Sequence, residues 1–349
     1  MTIPTTDNRK SLIYFGFSCL ISIFLVWYLL SHIELEALFK TFQNLYLPTL
    51  SVYVLLALGG VLARSYRYYI LISSPKITMK ELVLVTLVRN LFVDLLPARI
   101  GSLSYVYLLN TRFGFPFEIA ASTFLVAFIF DFIVVFPMLF LAIIMVSTNL
   151  IPFMSFSFII ISVFIFSFLV AFLFYLNHLI TIFVNLIMWC SQRLGIENHS
   201  RVTILTEKLL LTAKDIETMK ARKIYGKVFF ISLAVRIFKY GSLYFLLHSV
   251  LVHLSFTITD LNFWKVMLGI LGAEFSALLP IHGVAGLGSW EAAWVLTFKL
   301  LGFFDPQVAI VSGFSVHILT QVFEYFLGIL SIIIVYLPRK KFAREGGSI

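Results

Sequence analysis

In this chain of 349 residues 60% are hydrophobic and only 12% are charged, and the mean hydropathy is +1.01, values that exclude a soluble globular domain and indicate a polytopic membrane protein. The formal net charge of +9 does not indicate nucleic acid, because the basic residues fall in short clusters between apolar runs, where they set topology and meet anionic headgroups. Two cysteines, Cys19 and Cys190, lie far apart in or beside apolar runs, which excludes a disulfide framework.

At roughly 20 apolar residues per crossing, full spans are expected near 11–30, 48–63, 117–146, 152–175, 228–251 and 307–337. The third and sixth runs are long enough for tilt or an interfacial extension. The first run follows Arg9 and Lys10 and lacks a small-residue cleavage site, so it reads as an uncleaved span rather than a signal peptide. Two further apolar stretches, 82–96 with 102–109 and 266–279 with 290–301, are each too short and interrupted to cross alone. The first is broken at Leu95-Leu96-Pro97-Ala98-Arg99-Ile100-Gly101. The second is broken at Leu278-Leu279-Pro280-Ile281-His282-Gly283-Val284-Ala285-Gly286-Leu287-Gly288-Ser289-Trp290-Glu291. Proline removes a backbone donor and glycine permits unusual dihedrals, so Pro97, Gly101, Pro280, Gly283, Gly286 and Gly288 free polar backbone that lipid cannot satisfy. Paired interruptions of this kind mark the substrate site in many transporters.

Arg9 and Lys10, then Arg64, Arg67, Lys76 and Lys80, then the basic stretch 193–227, then Arg339, Lys340, Lys341 and Arg344 fall on one side if six spans are drawn. That side is expected to be the cytoplasm of a multi-pass cell-membrane protein with both termini inside. The expected fold is therefore an all-α bundle of about six full spans plus two re-entrant hairpins, about 82–109 opening from the cytoplasm and about 266–301 from outside, in the manner of an inverted repeat. It forms one membrane domain: a first half over 1–147, a cytoplasmic amphipathic linker over 200–227, a second half over 228–337 and a basic tail over 338–349. In the linker Leu205, Leu209, Thr212, Ile216 and Met219 repeat at helical spacing, and the surplus of lysine and arginine suits a helix lying on an anionic leaflet.

Ionisable residues within spans are costly and mark pathways or pairings. Arg99 suits a phosphate, because guanidinium offers planar bidentate donors, or it is an interfacial arginine obeying the charge bias. Arg64 and Arg67, three apart beside Tyr68 and Tyr69, either hold a lipid phosphate or anchor the span. The first hairpin also offers Arg89, Asn90 and Asp94. In the second, Glu274 joins Glu291, which either meets a cationic group or serves as the acid favoured in a helix's first turn. Asp131 and Arg236, with Lys239, are candidates for mutual pairing or a proton relay. His282 is a structural histidine or a relay residue, with no partner at metal-ligand spacing. In the last span Gly313, His317, Thr320, Gln321, Glu324 and Gly328 share an inward face. The glycine run lacks the strand–helix setting of a nucleotide loop, so no cofactor and no metal is expected. The hairpins contain no Asp-x-Asp or close carboxylate pair, and no catalytic constellation is found.

On its two broken motifs, with Arg64, Arg67 and Asp131, the chain resembles the lysylphosphatidylglycerol synthase transmembrane (flippase-like) family. The resemblance implies a bundle with re-entrant hairpins that moves polar lipids between leaflets. It carries over to Asn90, Pro97, Arg99 and Gly101 in the first motif and to Glu274, Pro280, Gly286, Gly288 and Glu291 in the second. Ser102 stands where the family usually has an acid, which bears on the headgroup handled. Larger relatives carry a soluble aminoacyl-transferase domain, so with this chain ending at Ile349 lipid synthesis is expected to need a separate enzyme. The expected function is a lipid flippase or transporter whose partner is a membrane phospholipid and which is compatible with homo-oligomers. The alternatives are an accessory subunit of a lipid- or glycan-modifying enzyme, or a membrane-embedded transferase.

Overall fold

A computed structural model describes residues 23–31, 35–146, 152–196, 199–276 and 284–337, without the side chains of 35, 97–99, 152–158 and 284. Most of the first expected span, the tip of the second break with Pro280, His282 and Gly283, the side chains of Pro97 and Arg99, and the tail 338–349 lie outside the described residues. Every regular element among the described residues is helical. In chain order they are α1 (23–30), α2 (Leu35–Gln43), α3 (Leu47–Ile72), α4 (Met79–Leu95), α5 (Ser104–Thr111), α6 (Phe117–Val146), α7 (Pro152–Arg193), α8 (Ser200–Ala221), α9 (Tyr225–Leu251), α10 (Phe263–Ser276), α11 (Ser289–Leu300) and α12 (Pro306–Tyr336). Five of them, α3, α6, α7, α9 and α12, contain stretches long and apolar enough to cross a membrane.

Local chemistry sets the ends of these helices. Thr78 Oγ1 accepts from Glu81 N at 3.3 Å while Thr78 N donates to Glu81 Oε2 at 2.8 Å, a reciprocal cap that starts α4. Leu96 is extended (φ −99°, ψ 138°) because the next residue is proline. A 3-10 segment, Pro97–Leu103, then folds back on the last turns of α4. A Cβ on Gly101 would lie 1.7 Å from the Phe92 carbonyl oxygen, so only glycine permits this return. Asp305 caps α12 by accepting from Gln307 N (2.9 Å) and Val308 N (3.0 Å), with Pro306 at the first helical position.

The bundle consists of two four-helix units, α3–α6 and α9–α12, each a long helix, two short ones and a long helix. At about 1.5 Å per residue, α4 spans about 26 Å and α5, α10 and α11 about 12–21 Å, all short of a hydrocarbon core of about 30 Å. The units exchange helices: α4 packs on α12, and α10 packs on α6. Their first helices, α3 and α9, make the most extensive contact in the bundle. They run antiparallel, since Tyr46 N donates to Ser249 O at 3.1 Å at one end and Lys227 Nζ sits 5.3 Å from the Tyr66 ring centre at the other. The two units therefore start in opposite directions.

Two sequence expectations shift. The fourth span does not stop at 175, because no helix breaker follows Tyr175; α7 continues to Arg193 and is about 63 Å long. The linker helix α8 buries Thr206, Thr212, Ala213, Ile216 and Met219, whereas Leu205 is exposed. α8 lies against α6 and α7 rather than only on a leaflet: Lys220 Nζ donates to Phe174 O at 3.1 Å, and Ser122 on α6 bonds to Asp215. Thr212, Ile216 and Met219 of the expected stripe are buried, and only at its start does burial pass from Leu205 to Thr206.

Candidate functional site

The charged residues of α3, α4, α6, α9, α10 and α12 meet around a cavity of about 190 Å³. Along α3, Tyr53 belongs to one apolar cluster and Tyr68, Leu71 and Ile72 to another; the cavity-lining stretch from Leu56 to Arg64 lies between them. The charges are thus held in the middle of the bundle, with apolar packing on either side.

One wall is a continuous ion network. Arg67, 1% exposed, grips Asp131 through both carboxylate oxygens (Nη1–Oδ1 2.7 Å, Nη2–Oδ2 3.3 Å) and donates to Ser232 Oγ at 2.9 Å. Arg236 bridges Asp131 (3.8 Å) and Glu274 (3.5 Å), and Lys239 Nζ lies 2.6 Å from Glu274 Oε1. This network ties α3, α6, α9 and α10 together and leaves each of these cations with a carboxylate, as buried charge requires. The expected pairing of Asp131 with Arg236 is present, and Arg67 is its stronger partner.

Two further arginines are held differently. Arg64 Nη1 donates to Asn90 Oδ1 at 2.8 Å and Arg89 Nη1 to the same oxygen at 3.3 Å. Neither guanidinium has a carboxylate at ion-pair distance among the described residues, and the Nε–H of each is buried without a hydrogen-bond partner. The Nε–H of Arg67 and Arg236 is buried without a partner as well, so what sets Arg64 and Arg89 apart among the four cations lining the cavity is that neither is paired with a carboxylate among the described residues. Such planar donors match a phosphate bidentately. A smaller cleft of about 70 Å³ adjoins this wall between α4, α6 and α10, sharing Arg89, Asp131, Arg236 and Glu274 and otherwise lined by Phe128, Phe132, Phe136 and Phe275.

Glu291 is not brought to the cavity. It is fully buried at the start of α11, where its Oε2 accepts from Gly288 N at 2.7 Å and its Oε1 lies 2.6 Å from His317 Nδ1. Gln321 Nε2 donates to His317 Nε2 at 2.9 Å, so the other ring nitrogen carries the proton given to Glu291. Gln321 also bonds to Ala285 O, and Trp290 stacks on His317 at 4.6 Å. Ala285, Gly286 and Gly288 take positive φ (58°, 68° and 87°) in this turn. Glu291 thus locks the second break onto α12. Gly101 closes the first break, and Gly286 and Gly288 shape the second. Arg89, Lys239, Asp94 and Glu324 also face the cavity; the sequence marks them as intramembrane charges, but only the crossing of α4 over α12 brings Asp94 to Glu324.

The family described as Lysylphosphatidylglycerol synthase TM region matches residues 16–328. The chain belongs to this family. Membership makes it a multi-pass membrane protein of lipid-related function, and the match covers both broken stretches and the whole charged cavity. No curated protein and no solved structure matches the chain.

Proposed function

We propose that this family member moves a phospholipid between leaflets, with the lipid phosphate held by Arg64, Arg89 and Asn90 and the acyl chains leaving the cavity through the phenylalanine-lined cleft. The observation that carries this reading is the pair of arginines on one asparagine oxygen, without carboxylate partners among the described residues, facing a cavity that shares lining residues with a phenylalanine-rich cleft. A lipid is amphipathic, and this arrangement offers a polar chamber joined to an apolar slot. A scaffold has no need of uncompensated arginines, which cost several kcal/mol when buried. On this reading α4 with α5 and α10 with α11 enter the membrane from opposite sides as re-entrant hairpins. The basic α7–α8 connection then lies on the cytoplasmic side of the cell membrane.

Native mass spectrometry of the purified protein tests the binding step. Wild type is expected to retain phospholipid through mild detergent removal. The Arg64→Gln/Arg89→Gln double variant is expected to lose it by tenfold or more, since each charge-assisted hydrogen bond contributes about 1.5–3 kcal/mol. Equal retention by a double variant that melts like wild type rules out this headgroup site.

A further inference from the structure

Gly328 fixes how closely α12 approaches α4: a Cβ there would lie 2.5 Å from Leu91 Cβ. Asp94 is one turn beyond Leu91, and Glu324 is one turn before Gly328. Both line the cavity, and the close helix crossing brings their carboxyl groups within hydrogen-bonding reach of each other. Neither has an arginine or lysine at ion-pair distance among the described residues. Two carboxylates offer acceptors only, so the contact requires a proton on one of them.

The surroundings suit a proton that comes and goes. Arg64 on α3, Arg89 on α4 and Lys239 on α9 line the cavity with the two carboxyls. Tyr53 on α3 lines it as well. Asp131 on α6, Arg236 on α9 and Glu274 on α10 also face the cavity but are committed to one another. Four cations and four acids line the cavity. Arg67, paired with Asp131 though not itself in the lining, adds a fifth cation, so the site holds one excess positive charge with both carboxyls ionised and a second with one shared proton, which strengthens its hold on a phosphodiester.

We propose that Asp94 and Glu324 hold one exchangeable proton between them, and that this proton moves with the lipid headgroup, making the chain a proton-coupled lipid carrier. This rests on the reading of the cavity as a headgroup site. The proton is taken up with the phosphate at one face and released with it at the other; no bond to the lipid forms or breaks. The lipid therefore runs in the direction of the proton, from the acidic to the alkaline side. Reciprocal coupling of the usual size changes headgroup affinity about 5–150-fold between the two protonation states.

The test uses proteoliposomes carrying a fluorescent phosphatidylglycerol, with and without an imposed pH gradient, for wild type, Glu324→Gln and Asp94→Asn. Wild-type translocation is expected to accelerate at least fivefold with the gradient, to lose the gain with a protonophore, and to become gradient-independent in both variants. Equal wild-type rates with and without the gradient, or dependence on a sodium gradient instead, overturns the proposal while leaving the lipid site intact. Infrared spectroscopy of the purified protein reads the proton without transport. A protonated-carboxyl C=O band at neutral pH that Glu324→Gln removes supports the proton site even if no lipid moves, in which case only the carrier reading falls. Absence of that band in wild type overturns the proposal.

Discussion

Asp131 accepts from Arg67 through both oxygens and lies within 3.8 Å of Arg236. Removing its charge leaves two buried guanidinium groups facing each other, and breaking a buried pair of this kind costs about 3–5 kcal/mol. Asp131→Asn is therefore expected to lower the melting temperature in detergent markedly, whereas Arg64→Gln, which removes no ion pair, is expected to melt near wild type. A comparison of the two melts by intrinsic fluorescence checks this; equal melts would contradict the division between structural and ligand-facing arginines. Asp131, Arg236 and Glu274 were legible as buried charges from hydropathy alone. The role of Glu291 was not, because its partner His317 lies on another helix and a helix-start acid looks the same in sequence whether it faces a cavity or a histidine.

At the scale of elements, the first break depends on Gly101, whose missing side chain lets the 3-10 segment lie on the Phe92 carbonyl. Gly101→Ala is expected to abolish the monodisperse peak in size-exclusion chromatography. Gly226→Ala, at a helical site with nothing within 4 Å of the added carbon, is expected to be neutral or to stabilise by about 0.4–1 kcal/mol; the same chromatogram, with a melt, separates these outcomes. The linker helix has a pH signature. Burial beside α6 pushes the Asp215 carboxyl above its ordinary range, although the Ser122 hydroxyl and Arg222 pull it down. A group raised on folding contributes stability below its unfolded pKa that is lost as pH rises through the folded value. The docking of α8 is therefore expected to weaken as pH rises from about 4 toward neutrality, and Asp215→Asn to remove that trend. Amide exchange of 206–219 against pH measures it, and an unchanged slope in the variant would contradict the assignment. The helical period of α8 and its phase at Thr212, Ile216 and Met219 could be read from sequence, but not that two neighbouring helices cover the stripe.

In the whole molecule, the exchange of α4 onto α12 and α10 onto α6, with α3 and α9 antiparallel, builds one cavity from both units. Five of the expected spans, the fourth running on past its expected end, and the break after α4 were visible in the sequence, because apolar length and proline–glycine breaks are local properties. What meets what was not: Asp94 and Glu324 are 230 positions apart, and only the glycine-permitted approach of two helices joins them. The packing of α3 on α4 brings Arg64 to Asn90, the sequence neighbour of Arg89, and the proposed headgroup site stands there. Its most direct test is translocation of fluorescent phospholipids in liposomes, read with a membrane-impermeant quencher for wild type and for Arg64→Gln/Arg89→Gln. Label that becomes accessible in a protein-dependent manner, and is lost in the double variant while its melting temperature holds, is the predicted result. Translocation unchanged by that variant would contradict the account.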